Sequence, residues 1–353
     1  MTVYVAILKG RQPYFQALAE ASDQVKSIIR PLIEVFPRRG DTEVKRLITR
    51  LAGQIKAQTL ADVDMCFDTQ PLASYFGPSG RSEALRRLTD ELGVHAFRPV
   101  VHLGDTGEDL EELREVIADQ QMGLCLRIPL SFAHNLDYPR DLFDLLGLVG
   151  ESPERTDVIL ECGHCEAPAE THRQLTQPMR RLLEYDWHTL TIAAGSFPSP
   201  KDFKPPPEPR ITRLPRAESE LWCRVSTAWR TVDYGDYGID HASAPPADGE
   251  QPAPNLRYAS GQQWCLYYWP KDSRGRHSTF YPLCRALMRS PEWPRSGPAF
   301  SWGDEQIAAA AQEERGPGGG AQWKAFALSH YLALVTSTLQ QDAREEDGYV
   351  SMP

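Results

Sequence analysis

Seven polar side chains stand at or near the carboxyl-terminal ends of short apolar segments of the sequence. They are Lys9, Glu34, Asp68, His102, Arg127, Glu161 and Ser196. Carboxylates in such a set can hold a divalent cation or divide general-acid and general-base roles. Lys9 and Arg127 suit a phosphate or a carboxylate, and His102 is of the residue type that exchanges protons near neutral pH. The same residues could also pair with one another, because an unpaired buried charge is costly.

A second candidate is the segment Tyr234–His241 (YGDYGIDH). Its two glycines permit tight turns, which would bring Asp236 and Asp240 toward one place with Tyr237 beside them. Two aspartates and neighbouring tyrosines could hold a cation or line a hydroxyl-rich ligand. A turn capped by aromatic residues explains the same pattern, so both interpretations stay open.

The segment ECGHCE brings Cys162, His164 and Cys165 close together in sequence. A structural zinc site needs four ligands, usually from two such pairs, and the other cysteines are isolated. A loop that contains thiols is therefore the favoured interpretation, and no metal site or cofactor is assigned. Seven cysteines spread over 353 residues fit reduced thiols better than a disulfide framework.

Short apolar segments alternate with amphipathic ones through the first two-thirds of the chain, and we interpret them as strands and helices. The predicted strands are Val3–Leu8, Pro31–Phe36, Val63–Phe67, Phe97–Leu103, Gly123–Leu130, Val158–Leu160 and His188–Ala194. The predicted helices are Tyr14–Ile29, Glu43–Ile55, Glu83–Leu92, Asp109–Ala118, Asp141–Leu148 and Arg173–Leu183. Such alternation makes the strands parallel, because each helix returns the chain to the same end of the sheet.

The expected fold is a TIM-like (β/α)8 barrel with an aromatic-rich C-terminal extension. The eighth strand is expected at Leu221–Tyr234 or at Trp264–Trp269. An open doubly wound sheet is the alternative, but no G-x-G-x-x-G follows the first strand. In a barrel the carboxyl ends of the strands surround one shared mouth, so the seven polar residues should converge there.

Residues 1–198 are expected to form the first seven β/α units, and residues 199–353 the barrel closure and the C-terminal helices, in one cooperative unit. Ser199–Pro209, Ala244–Asn255 and Gly316–Gly320 are rich in Pro, Gly or Ala and should be exposed and mobile. The aromatic segments Trp264–Trp269 and Gln322–Thr338 should form a local core.

Composition and charge exclude several classes of protein. A hydrophobic fraction of 41% and a charged fraction of 24% are typical of globular proteins rather than disordered or fibrous ones. The net charge of −10 argues against a protein that coats duplex DNA. No apolar run is long enough to span a bilayer, and the first residues do not form a secretory signal, so we expect a cytoplasmic protein without membrane contact.

Several short segments occur in an order that resembles a known family. They are Leu8–Tyr14 (LKGRQPY), Pro31–Glu34 (PLIE), Gly195–Pro198 (GSFP), Tyr234–His241, Leu256–Tyr258 (LRY), Gln322–Trp323 and Ser329–His330. Together they are similar to the beta protein family of phages, prophages and bacterial mobile elements. The resemblance implies a role in phage–host conflict, as an immunity or antitoxin-like factor or as a phage-defence component. It also directs attention to Lys9, Arg11, Gln12, Glu34, Ser196, Asp236, Tyr237 and Asp240.

Three functional hypotheses follow. The first is an interaction protein that recognises a ligand, such as one bearing phosphate, or a protein encoded nearby, at the barrel mouth. The second is a metal-assisted phosphodiester or nucleotide hydrolase that uses Glu34, Asp68, Glu161 and Asp236 with Lys9 and Arg127. The third is a single-stranded nucleic-acid binder whose bases stack on Trp264, Tyr267, Tyr268 and Trp269 beside Lys271 and Arg274.

Overall fold

Eight parallel strands close into a barrel in this protein. A computed structural model describes residues 2–60, 63–138, 140–199, 207–243, 245 and 252–350. The barrel strands are β1 (Tyr4–Lys9), β2 (Ile29–Glu34), β3 (Cys66–Asp68), β4 (Arg98–His102), β5 (Leu124–Pro129), β6 (Thr156–His164), β7 (Thr189–Gly195) and β9 (Asp233–Asp236). Each strand pairs with the next, and β9 lies between β7 and β1. The expected TIM-like barrel is confirmed.

The register of the strands aligns the residues at their carboxyl ends. Lys9 lies opposite Glu34, and Glu34 lies opposite Asp68. His102 lies opposite Arg127 in the same way. Side chains alternate between the two faces of a strand, so residues in register point to the same side of the barrel wall. This alignment is what brings the polar residues of different strands into one layer.

Helices cover the outside of the barrel and pack their apolar faces on it. They are α1 (Gln12–Ala19), α2 (Asp23–Lys26), α3 (Val44–Ala57), α4 (Ala73–Phe76), α5 (Pro78–Leu92), α6 (Glu108–Gln120), α7 (Leu130–Ala133), α8 (Arg140–Val149) and α9 (Pro168–Leu182). In α3 the predicted apolar stripe is buried from Val44 to Ile55. The single helix predicted over Tyr14–Ile29 is wrong. Ser22 caps a separate helix α2, and Ile29 already belongs to β2.

Both positions expected for the eighth strand need correction. Most of Leu221–Tyr234 lies in α10 (Ala217–Ala228), and only its end enters β9. Trp264–Trp269 lies mainly in β11 (Gln263–Tyr268), which pairs antiparallel with β8 (Arg210–Pro215) and β10 (Asn255–Ser260) in a separate three-stranded sheet. The closing strand has only four residues, and its sequence DYGD lacks an apolar run.

The aromatic segment in β11 contributes to two cores, one on each face of the small sheet. Trp264 and Tyr268 pack with the barrel and its helices. Tyr267 and Trp269 pack with α11 (Phe280–Met288), α12 (Trp302–Ala311) and α13 (Gly320–Val350). All four rings are buried. The predicted local core is confirmed, and the stacking surface for single-stranded nucleic acid is wrong because these rings are covered.

The three Pro- and Gly-rich segments differ from one another. Residues 200–206, 244 and 246–251 lie outside the described residues, which removes much of Ser199–Pro209 and Ala244–Asn255 from the description. Gly316–Gly320 is mostly half-buried, because Trp323 Nε1 donates to the carbonyl of Pro317 at 2.7 Å. Its expected exposure is therefore wrong.

The division of the chain at residue 198 stays a prediction, although the part after it supplies the closing strand of the barrel. No described helix is long and apolar enough to span a membrane.

Candidate functional site

The barrel interior has an apolar middle with polar side chains on both sides. The middle consists of Val5, Ile7, Leu32, Cys66, Val100, Cys125, Ile159 and Ala193. Toward the carboxyl ends of the strands lies a group that we call the carboxyl-end cluster: Lys9, Glu34, Asp68, His102, Arg127, Glu161 and Tyr237. Toward the amino ends lies the amino-end cluster: Arg30, Asp64, Arg98, Asp157 and His188.

Arg127 is the centre of the carboxyl-end cluster. Its Nη1 donates to Glu34 Oε1 at 3.1 Å and to Asp68 Oδ2 at 2.6 Å. Its Nη2 donates to Glu161 Oε1 at 2.5 Å. The side chain of Arg127 is only 6% exposed. One guanidinium thus binds a carboxylate from each of three other strands.

The remaining members of the cluster bind the same three carboxylates. Lys9 donates to Glu34, and the Tyr237 hydroxyl donates to Glu161. His102 Nε2 lies 3.1 Å from both carboxylate oxygens of Asp68. Six of the seven predicted strand-end residues therefore meet in one network, together with Tyr237 from the second candidate segment. They pair with one another, which is the alternative to ligand binding that the residue types left open.

Burial and pairing act in opposite directions on the charges of this cluster. Burial by itself raises the pKa of Asp68, but His102 and Arg127 outweigh it and hold that pKa below its ordinary value. The pKa of Glu161 is also below its ordinary value. Burial raises it, but Arg127 and the hydrogen bond from Tyr237 outweigh that effect. Burial lowers the pKa of Arg127, yet Glu161, Asp68 and Glu34 raise it well above the ordinary value. Asp68, Glu161 and Arg127 therefore stay charged at neutral pH.

A second group, the rim cluster, adjoins this network and consists of Tyr14, Asp240, Arg257 and Lys324. Arg257 Nη1 and Lys324 Nζ donate to the same Asp240 oxygen, Oδ1, at 2.5 and 3.1 Å. Lys324 Nζ also donates to the Tyr14 hydroxyl at 3.0 Å. The side chains of Arg257 and Lys324 are 20% and 22% exposed. Two partly exposed cations thus share one carboxylate, so within the rim cluster positive charge exceeds negative charge by one.

The charge of Lys9 reaches the rim cluster. Burial by itself raises the pKa of Asp240, but Lys324 and Arg257 lower it below its ordinary value, and Lys9 adds to the effect. Burial holds the pKa of Lys324 below its ordinary value, against the attraction of Asp240. Asp240 was a candidate from the sequence, whereas Arg257 and Lys324 were not. Neither cation follows a barrel strand, so a search for polar residues at the ends of predicted strands could not find them.

Arg11, Gln12 and Ser196 make hydrogen bonds to groups outside both clusters, and the charge of Arg11 also acts on Tyr14 of the rim cluster. Arg11 donates to the carbonyls of Phe36 and Pro37 at 2.6 and 2.7 Å. Gln12 donates to Gln16 on its own helix. Ser196 accepts the indole N–H of Trp264 at 3.0 Å and donates to Glu218. These residues fix loops and join the barrel to the small sheet.

The segment Tyr234–His241 separates its two aspartates, so their expected convergence is wrong. Asp236 accepts the hydroxyls of Tyr4, Tyr234 and Tyr331 at 2.7 to 2.8 Å. Burial raises the pKa of Asp236 to about 6, although these hydrogen bonds oppose it. Asp236 is therefore buried among tyrosines while Asp240 faces the rim.

The two glycines of this segment have different roles. Gly238 has φ +58, so it forms a turn as predicted. Gly235 lies within β9 and makes no turn. A Cβ added there would stand 2.9 Å from Thr191 Cγ2 and 3.0 Å from Ala193, so the position requires glycine for close packing of the barrel interior.

Metal coordination finds no support in the described part of the chain, where no group of three or more His, Cys, Asp or Glu side chains could hold an ion. The His164 ring stacks on the ring of His241, with centroids 4.6 Å apart. Cys162 is half-buried and Cys165 is buried, and both are free thiols. Burial raises the pKa of Cys165, which disfavours the thiolate that a metal would need.

The amino-end cluster was not predicted. Arg30 Nη1 and His188 Nδ1 lie 3.0 and 2.7 Å from Asp157 Oδ1, and Arg98 Nε lies 3.3 Å from Asp157 Oδ2. Arg30 and Arg98 both pair with Asp64 as well. The sequence pattern that could have predicted this cluster is a charged residue at or just before the start of several apolar segments. These charged residues lie on the strand face that also carries the interior residues.

Comparisons with known proteins show the family to which the chain belongs. A family model described as Beta protein matches residues 4–337, so the chain belongs to this family and the expected resemblance is confirmed. Among solved structures, the chain is similar to a candidate sugar phosphate isomerase/epimerase from Anabaena variabilis. The identity is 12% over 70% of this chain and 86% of that chain, with a TM-score of 0.29, so nothing about activity follows from it. No curated protein matches the sequence.

Proposed function

We propose that this member of the Beta protein family is an antitoxin-like binding protein in phage–host conflict, which recognises an acidic segment of a partner protein at the rim cluster. The observation that carries the proposal is the excess positive charge where Arg257 and Lys324 share Asp240. Both cations are partly exposed, so a carboxylate of a partner can reach them without disturbing the barrel.

The geometry favours binding over metal-assisted hydrolysis. A divalent cation would have to sit among the carboxylates of Glu34, Asp68 and Glu161. The guanidinium of Arg127 already binds one oxygen of each. Removing Arg127 from that position would leave the buried carboxylates mutually repulsive, so this cluster serves better as a rigid support for the mouth than as a metal centre.

The proposal is tested by co-expression with the product of the adjacent gene, followed by affinity measurement on the purified complex. Lys324→Met should weaken binding about tenfold, since a charge-assisted hydrogen bond to the partner is lost. Asp240 keeps Arg257 and Tyr14, so the variant should stay folded. Lys45→Met is the matched control, because Lys45 is an exposed lysine on α3, outside the mouth. Absence of a complex, or equal loss in both variants, would contradict the proposal.

A further inference from the structure

We propose that the protein has a second binding site, for a small organic cation, in a cleft on the side of the barrel. The cleft has a volume of about 540 Å³ and lies between the α1–α2 turn and the start of α12. Glu20, Ser22, Phe300, Trp302, Glu305 and Ser329 are among its lining residues, and we call it the α1–α12 cleft. It is separate from the mouth and does not depend on the proposed function.

The two carboxylates of the cleft distinguish it from both barrel clusters. Glu20 and Glu305 are exposed, and within the described part of the chain neither side chain makes an ion pair or a hydrogen bond. Glu20 stands at the C-terminal cap of α1, where the helix dipole does not favour a carboxylate. The local structure therefore gives no reason for a carboxylate at position 20, whereas a bound cation would give one.

Aromatic rings form another wall of the cleft. Phe300 and Trp302 are half-buried. Phe300 is held against the imidazole of His330 with ring centroids 5.2 Å apart, and Trp302 is held edge-on against Phe326 at 5.4 Å. An ammonium or guanidinium group is attracted to aromatic faces as well as to carboxylates. Rings and acids in one cavity therefore select for positive charge.

Size and polarity narrow the class of ligand. A cavity of this volume falls within the range of small-molecule sites. Alanine, valine and proline side chains and Ser301 complete the lining, so an apolar body fits between the charged groups. Ser329 is buried, and its oxygen accepts the N–H of Gly303 at 3.0 Å, which leaves a second lone pair for a donor. The site suits an alkylammonium or alkylguanidinium compound with a short chain.

The test is calorimetric titration of the full-length protein with agmatine and cadaverine, and with uncharged 1-pentanol as the reference compound. The proposal predicts saturable binding of at least one cation and none of 1-pentanol. Glu20→Gln and Glu305→Gln should each weaken binding about 5- to 20-fold, as expected for loss of one partly screened charge. Glu314→Gln removes the same charge beyond the far end of α12 and should bind as the wild type does.

Two further measurements keep the outcome decisive. Glu305 lies in the first turn of α12, which its charge stabilises, so thermal unfolding is recorded for every variant. Glu20→Gln is expected to keep the wild-type melting temperature and still lose affinity. Lys324→Met should leave cation binding unchanged, which separates this site from the mouth. Binding of neither cation, or equal binding by Glu20→Gln and the wild type, would overturn the proposal.

Discussion

The two ends of the barrel interior contain the same kinds of charged group in opposite arrangements. At the carboxyl end a guanidinium, that of Arg127, is surrounded by three carboxylates. At the amino end a carboxylate, that of Asp157, is surrounded by Arg30, Arg98 and His188. Both arrangements neutralise charge within the barrel, so a polar layer at the mouth is not by itself a sign of chemistry. What distinguishes the carboxyl end is the adjoining rim cluster.

Removing the central group should have the largest effect at the carboxyl end. Arg127→Met leaves Glu34, Asp68 and Glu161 buried without the cation that they share. We expect a loss of about 3–5 kcal/mol in the free energy of unfolding, measured by urea denaturation at pH 7. A loss below about 1 kcal/mol would mean that Lys9 and His102 suffice to hold the carboxylates, and the contrast between the two ends would disappear.

The matching change at the amino end should cost less. Asp157→Asn keeps a hydrogen-bond acceptor, and Arg30 and Arg98 both retain Asp64. We expect a loss of about 1.5–3 kcal/mol, the range for hydrogen bonds to charged groups, in the same denaturation assay. If this variant proved less stable than Arg127→Met, the amino end rather than the carboxyl end would be the more tightly coupled cluster.

A change of pH should affect the stability contributed by the two ends in opposite directions, and by less than either substitution does. Burial raises the pKa of Asp233, beside the amino-end cluster, to about 6. A raised folded-state pKa stabilises the fold below the unfolded value near 4, and that contribution is lost as the pH rises through 6. The lowered pKa values of Asp68 and Glu161 have the opposite sign, so their contribution is present at neutral pH and is lost in acid.

Asp233→Asn tests this difference, because the amide can still accept the N–H of Val3. We expect the variant to gain about 1–2 kcal/mol relative to the wild type between pH 5 and pH 8, as the penalty of ionising a partly buried carboxyl disappears. Unfolding free energies measured across that interval should therefore diverge. Parallel curves for the two proteins would show that Asp233 titrates normally.

The barrel could be predicted from the sequence because its signals are local. Each of the first seven strands is a short apolar run, and parallel pairing then places the residues that follow these runs at one end. That reasoning located Lys9, Glu34 and Arg127 together. It could not find the last strand, since DYGD resembles a turn, and its identity as a strand depends on the open edges of β1 and β7.

The rim cluster could not be predicted, because it depends on contacts between distant parts of the chain. Lys324 and Asp240 are 84 residues apart, and neither lies on a barrel strand. The amino-end cluster could have been found in part, because the charged residues near the starts of β2, β4 and β6 share the face of the interior residues. Whether charges in such a layer pair or bind a ligand depends on distances that only the folded structure supplies.

The position of β9 has a consequence for synthesis of the protein in the cell. Val3 donates to Asp233, a partner 230 residues later in the chain. At about 5–20 residues per second, a ribosome takes roughly ten to fifty seconds to cover that interval. Throughout that time the first strand has an unpaired edge, which can pair with other chains. We therefore expect chaperones to act on this protein chiefly before its last hundred or so residues emerge.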